Sequence, residues 1–134
     1  MKQLNRPSEL ELQVLALLWE EGPLTAREVS TLLPDGKARA YTTVLTVLQV
    51  MEKKGLVSHK QEGRANRYAP VATKRTVLGP MLRQLVANVF GGSPSAAVQH
   101  LLEETHVSGE ELKEIRKVIA EHEPAASKRG GKSK

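Results

Sequence analysis

The segment from Ala40 to Gly55 has the clearest periodic pattern of apolar and polar positions in the chain, and the period is that of a helix. One face of this predicted helix is apolar and carries Val44, Val47, Leu48 and Met51. The opposite face is polar and carries Thr42, Thr46, Gln49 and Lys53. A helix that only covers a core usually exposes Glu and Lys pairs, whereas this face offers hydroxyls, an amide and one cation. The pattern therefore predicts a helix whose outer face has a binding role.

Two shorter helices are predicted ahead of it, and each begins with a capping box. The first box is Ser8-Glu-Leu-Glu11, and Gly22-Pro23 ends the apolar run that follows it. The second box is Thr25-Ala-Arg-Glu28, and the turn signal Pro34-Asp35-Gly36 ends its helix. Helix, turn and polar-faced helix follow in the order of a helix-turn-helix.

A β-hairpin is predicted directly after these helices. Residues Leu56–Glu62 and Ala65–Val71 have strand character, and Gly63-Arg64 forms the turn between them. A hairpin in this place is the wing of a winged-helix domain, so Arg64 at its tip is a candidate phosphate contact. For Lys60 and Arg67 on the strands, charge that keeps an edge hairpin soluble is a serious alternative to phosphate contact.

Short polar side chains on the outer face of the third helix favour contact with double-stranded DNA. Thr and Gln are small enough to let the helix lie deep in a groove, where they touch base edges or a thymine methyl. An ordinary amphipathic helix with an unusual polar face is the simpler alternative. A winged helix that binds another protein is a further alternative, but such a helix usually exposes aromatic or Leu anchors.

Residues 73–123 are predicted to form three helices, broken at Gly91-Gly92-Ser93-Pro94 and before the capping box Ser108–Glu111. Three short helices with one apolar face each enclose little core by themselves, so a homodimer is the economical solution. The candidate dimerisation residues are Leu82, Leu85, Val89, Val98, Leu101, Leu102, Leu112, Ile115 and Ile119. Packing of this region back onto residues 1–72 is the alternative.

The fold class that follows is mainly α with a small β-hairpin: a winged helix-turn-helix at 1–72, then a helical dimerisation domain at 73–123. The net charge of +5 is concentrated in residues 124–134, which carry four Lys or Arg and no acid. This Gly- and Ser-rich segment is expected to be a disordered basic tail.

Composition excludes several functional classes. The chain has no cysteine, which excludes disulfides, thiol catalysis and cysteine-ligated metal. Its four histidines lack the spacing of metal ligands, and no phosphate loop or nucleophile elbow occurs. Apolar runs are only a few residues long, so neither a signal peptide nor a membrane span is expected. We expect a cytoplasmic protein that is not an enzyme and that has no cofactor, metal or membrane partner.

Several segments, in this order, resemble the penicillinase repressor family (BlaI/MecI, with the copper-responsive CopY branch). They are Thr25–Glu28, Ala40–Gln49, Lys54–Val57, Glu62–Ala65 with Tyr68 and Pro70, Gly92–Pro94 and Leu101–Glu104. The resemblance implies a dimeric repressor of a resistance operon, binding operator DNA with inverted TACA/TGTA-type half-sites. It also implies that Tyr41, Thr42, Thr43 and Thr46 read bases. The assignment of Gln49 and Lys53 as DNA contacts depends mainly on their place on the polar face of the helix.

Two departures from that family bear on how the repressor is released. The copper-binding cysteines of the CopY branch are missing, which disfavours copper sensing. The resemblance implies that members which respond to β-lactams are cut by a sensor-controlled protease. The cut falls at an Asn-Phe pair in a helix of the dimerisation domain. His100 and Leu101 stand at that place here, so the cleavage region is expected there without the usual pair.

Overall fold

The computed structural model describes residues 7–33 and 40–130, with side chains described up to residue 124. Within these ranges the chain forms six helices and three short strands. The turn expected at Pro34-Asp35-Gly36 lies outside the described residues. The predicted fold class, mainly α with a winged helix-turn-helix followed by helices, is confirmed.

The first three helices begin and end close to the predicted positions. They are α1 (Glu9–Glu21), α2 (Ala26–Leu32) and α3 (Tyr41–Lys53). The capping boxes predicted for α1 and α2 are complete, with Ser8 and Thr25 each exchanging hydrogen bonds with the glutamate three residues on. These caps satisfy backbone donors that the first helical turn leaves without intrahelical partners.

Helix α3 ends in a Schellman motif centred on Gly55. Gly55 has a φ of 83°, a left-handed conformation that glycine adopts without strain. Its N–H donates to the carbonyl of Glu52 at 3.0 Å, and the N–H of Leu56 donates to that of Met51 at 2.9 Å. The chain therefore turns sharply from the helix into the hairpin.

The sheet has three antiparallel strands, one more than the hairpin that the sequence predicts. Strands β2 (Val57–Glu62) and β3 (Ala65–Pro70) form the predicted wing, with Glu62 opposite Ala65 across the turn. The extra strand, β1 (Leu24–Thr25), pairs with β3, so the order is β1-β3-β2. Two residues are too few for a period-2 pattern, which explains why β1 escapes sequence analysis.

The hydrophobic core lies where α1, α2, α3 and the sheet meet. Its fully buried side chains are Val14, Leu15, Leu18, Val29, Val44, Leu48, Met51, Val57 and Tyr68. The predicted inner face of α3 is confirmed at Val44, Leu48 and Met51, while Val47 is only half-buried at its margin. The orientation of α3 about its axis is therefore set by the core.

Two polar contacts tie the ends of this core together. Glu11 is buried, and its carboxylate accepts hydrogen bonds from Nζ of Lys54 at 2.9 and 3.1 Å. This ion pair joins the start of α1 to the end of α3. Trp19 donates from Nε1 to the carbonyl of Ala72 at 2.9 Å, which fixes the chain after the hairpin against α1.

Helix α4 (Lys74–Val89) begins as part of the winged-helix core. Val77 is buried in that core, with Leu78 and Met81 packed against it. The chain divides into two compact units between Arg83 and Gln84, within α4. This structural division lies beyond the predicted boundary at residue 72, because the apolar side chains of the first α4 turns complete the core.

The second unit, from Gln84 onward, contains α5 (Pro94–Glu104) and α6 (Gly109–Gly130). Ser93 caps α5 as predicted. At the predicted capping box Ser108–Glu111, Ser108 Oγ accepts from the N–H of Glu111, which is one of the two hydrogen bonds of such a box. Helix α6 continues past residue 124, where the sequence predicted a disordered tail to begin, with Pro124 inside it. Residues 131–134 lie outside the described part. No helix in the described ranges has an apolar stretch long enough to cross a bilayer.

Replacing a core residue on the inner face of α3 should destabilise the protein far more than replacing an exposed neighbour. Met51 is fully buried, so Met51→Ala should lower the free energy of unfolding by about 2–5 kcal/mol through a cavity. Val50→Ala, one residue away and 40% exposed, should change it by about 1 kcal/mol or less. Urea unfolding at matched protein concentration, followed by the fluorescence of Trp19, measures both. Equal losses would contradict the assignment of the two faces.

Candidate nucleic-acid interface

The outer face of α3 presents a continuous row of exposed polar side chains. Every predicted base-reading or phosphate-contacting residue on this helix is exposed, namely Tyr41, Thr42, Thr43, Thr46, Gln49 and Lys53. The row faces outward because the opposite face of the helix is fixed in the core. The structure thus brings these side chains onto one accessible surface.

Thr46 has a more restricted hydrogen-bonding capacity than its sequence suggests. Its Oγ1 donates to the carbonyl of Thr42 at 2.9 Å, so the hydroxyl proton is already used within the helix. The lone pairs of Oγ1 and the methyl group remain available. Thr46 is therefore suited to accept a hydrogen bond or to pack against a thymine methyl.

A recess of about 410 Å³ separates α3 from the wing and collects three of the predicted residues. Tyr41, Gln49 and Arg64 all line it, which places the hairpin tip and the helix on the same surface. The other lining residues are Thr25, Ala26, Arg27, Leu45, Ala65, Asn66 and Tyr68. Lys53 and the threonines of α3 do not line the recess and lie elsewhere on the helix.

Arg67, left open by the sequence between DNA contact and structural charge, has a structural role. Its guanidinium donates to Glu62 at 2.6 Å, to Glu28 at 3.2 Å and to the carbonyl of Pro23 at 3.1 Å. The Glu62 hydrogen bond and the nearby carboxylates raise the pKa of Arg67. The pKa of Glu28 is held below its usual value, mainly by the hydrogen bond from the Thr25 N–H and also by the positive charge of Arg67. Arg67 thereby links the wing to the cap of α2.

Two polar residues at this surface were missed by sequence reasoning. Arg27 is exposed near the start of α2, with its guanidinium carbon 5.1 Å from the centre of the Tyr41 ring. Asn66, on β3, lines the recess beside Arg64. Within the sequence, Arg27 is only the middle of a capping box. Its place beside the third helix depends on tertiary packing, for which the local pattern has no signal.

Two of the four histidines lie beside a carboxylate or an aromatic ring. His59 Nδ1 lies 2.7 Å from Glu52 Oε1, between the wing and the end of α3. The ring of His100 lies 5.2 Å from that of Phe90 in the second unit. Among the described residues, no cluster of three or more His, Asp or Glu side chains is placed to hold a metal ion.

The predicted dimerisation residues form an unusually exposed apolar set. Leu82, Leu85, Val89, Val98, Leu101 and Ile119 are between 42% and 66% exposed. The remaining three, Leu102, Leu112 and Ile115, are half-buried, and no residue from 84 to 124 is fully buried. His100 and Leu101, the predicted cleavage region, are both exposed within α5.

Comparison with known proteins agrees with these features. The penicillinase repressor family profile matches residues 7–121. The chain is 39% identical over 125 residues to the transcriptional regulator BlaI of Mycobacterium tuberculosis, covering 92% of this chain and 89% of that protein. It is 27% identical over 122 residues to the penicillinase repressor of Bacillus licheniformis, covering 91% and 95%. It is 19% identical over 112 residues to the methicillin resistance regulatory protein MecI of Staphylococcus aureus, covering 84% and 91%. The chain therefore belongs to the penicillinase repressor family of transcriptional repressors, as the resemblance of its segments predicted.

Proposed function

We propose that this chain is a homodimeric repressor that binds an inverted-repeat operator in double-stranded DNA. The observation that carries the proposal is the outer face of α3, polar and exposed along its length, with Arg64 of the wing beside it. An α-helix is about 10–12 Å across and the major groove about 12 Å wide, so α3 fits the groove with its outer face toward the bases.

The proposed contacts divide into base-reading and phosphate-binding groups. Thr42 and Thr46 lie on the outer face of α3, Thr43 is exposed beside it, and all three would meet base edges, with Gln49 one turn further along. Lys53 near the end of α3 and Arg64 at the wing tip would meet the backbone. This division follows the general rule that phosphate contacts position a protein while base contacts select the sequence.

A protein-binding winged helix explains the same surface less well. Such a module needs a central apolar or aromatic anchor on the exposed face of its third helix. Here the centre of that face is Thr46 and Gln49, and the exposed Tyr41 ring is already covered on one side by Arg27.

The proposed dimer is supported by the lack of a core in the second unit. The residues from 84 to 124 include none that is buried in the single chain, although α4, α5 and α6 all carry apolar stripes. Burial of apolar surface contributes about 25 cal/mol per Å². Most of the stability of a helix in a protein comes from packing its apolar face, so helices with these stripes in water would be only marginally stable. A second copy offers the same stripes in return, as a two-fold interface requires.

Two relatives carry resistance-related names, penicillinase repressor and methicillin resistance regulatory protein. We accordingly place the regulated genes among those of antibiotic resistance. Release would follow any event that breaks the dimer, since linked half-site binding depends on it. A sensor-controlled protease acting near His100 and Leu101 is one route, and a ligand at the dimer interface is the other.

Thr46 provides the sharpest test of base reading. Thr46→Ala should weaken binding to a duplex with inverted TACA/TGTA half-sites by about 1–3 kcal/mol, with little effect on binding to random duplex. Thr46→Val keeps the methyl group and removes the hydroxyl, which already donates to Thr42, so it should retain most of the affinity. Fluorescence anisotropy with both duplexes measures the ratio. An unchanged ratio for Thr46→Ala would overturn the assignment of this face.

Dimerisation through the second unit should be visible in solution. The full chain is expected to sediment as a dimer at micromolar concentration. Leu101→Gln removes an exposed apolar side chain of α5 and should shift the chain toward monomer, with weaker operator binding. Glu103→Gln, on the same helix, should leave the dimer intact. A monomeric wild-type chain at this concentration would refute the proposal.

The route of release can be decided in cells that carry the gene. After exposure to a β-lactam, cleavage near His100 should produce a shortened repressor band as the target genes are derepressed. The bond lies inside α5, so a protease needs that helix to open first. Derepression with a fully intact band would exclude proteolysis and leave ligand release.

A further inference from the structure

Arg27, near the start of α2, lies beside the first turn of α3, with its guanidinium over an aromatic ring. Its guanidinium carbon lies 5.1 Å from the centre of the Tyr41 ring, within the range of a cation–π contact. No ion pair joins Arg27 to another side chain in the described ranges. Its charge is therefore exposed, and among the described residues no carboxylate is paired with it.

The geometry of a helix in the major groove gives this position a consequence. A helix that nearly fills the groove brings its flanks against the phosphates along both rims. Arg27 stands beside the first turn of α3, on the neighbouring helix, rather than on the outer face that would meet the bases. A guanidinium in that place would meet a rim phosphate rather than a base edge.

A second cation on the same surface supports this reading. Arg64 of the wing and Arg27 both line the recess beside α3, together with Tyr41. Arg67, the other arginine near the wing, is bound by Glu62 and Glu28. Among the described residues, Arg67 has two carboxylate partners, whereas the two arginines that line the recess have none.

We propose that Arg27 binds a DNA backbone phosphate and that Tyr41 acts as its positioning residue instead of reading a base. The inference rests on the proposed DNA binding, and it reassigns Tyr41 from the base-reading group. A ring held under a guanidinium limits its rotamers, so less entropy is lost when the phosphate is bound. Phosphate contact predicts a loss that is the same for every DNA sequence.

The first experiment measures how binding depends on salt. Full-length wild type and Arg27→Gln are titrated with the inverted TACA/TGTA duplex and with a random duplex across a range of salt concentrations. Removing one phosphate contact should reduce the slope of log K against log salt by about 0.9 per half-site engaged. Affinity for both duplexes should fall, roughly tenfold per half-site, with their ratio unchanged. Arg27→Lys should keep the slope, because it keeps the charge.

Arg116→Gln is the matched control, since it removes the same charge from α6 in the second unit. It should leave the slope at its wild-type value. Circular dichroism and Trp19 fluorescence verify that each variant is folded. An Arg27→Gln protein with wild-type slope and affinity would overturn the phosphate contact.

The second experiment is a double-mutant cycle that separates positioning from base reading. Tyr41→Phe keeps the ring and should bind like wild type, whereas Tyr41→Leu should lose affinity. If Tyr41 acts through Arg27, Tyr41→Leu causes no further loss in the Arg27→Gln background. A loss that persists there, with a reduced ratio of operator to random affinity, would show that Tyr41 reads a base and overturn its positioning role.

The two proposals fail in different ways. A wild-type chain that binds both duplexes equally contradicts sequence-specific repression, yet the random duplex still tests Arg27, because a phosphate contact needs no particular base. A chain that binds neither duplex overturns both proposals.

Discussion

The burial of one face of α3 is the constraint on which the rest of the structure depends. Val44, Leu48 and Met51 are almost completely removed from water, and each contributes about 1.5–3 kcal/mol relative to exposure. Turning the helix by one residue, about 100°, would expose part of this set and bury threonine hydroxyls without partners. The outer face of α3 is therefore held in place by the core behind it, and needs no contacts of its own.

The ends of α3 are fixed by different means, and this matters for a helix that we propose enters a DNA groove as a rigid rod. At its C-terminal end, the Schellman turn at Gly55 and the ion pair of Lys54 with buried Glu11 hold the helix to α1. Removing one partner of such a pair leaves a poorly solvated charge, so the contact is specific in geometry even where its net stabilisation is small. At its N-terminal end Ala40 supplies no side-chain cap, and Tyr41 packs against Arg27 instead.

Sequence analysis succeeded where the determining interactions are local. The capping boxes at Ser8 and Thr25, the inner face of α3 and the hairpin turn at Gly63 each follow from residues within a few positions. It failed where distant segments meet. Strand β1, the membership of Val77 in the winged-helix core and the place of Arg27 depend on contacts across the fold. The role of Arg67, which the sequence left open, is also decided by such contacts. The pattern of α3 was thus sufficient to locate the candidate interface, whereas the position of Arg27 beside that helix was not predictable from the sequence.

The second unit poses a separate physical problem, because its helices have caps but no buried residue of their own. Capping and helix propensity alone leave helices of 11 residues, the length of α5, marginal in water. In the proposed dimer, the folding of these helices is coupled to the association of two chains, so both are described by a single equilibrium. Operator occupancy then responds steeply to any event that reduces apolar contact between the copies, whether a cut in α5 or a ligand wedged against Leu101. A repressor built this way needs no allosteric signal through the winged helix, since breaking the link between two half-sites is sufficient for release.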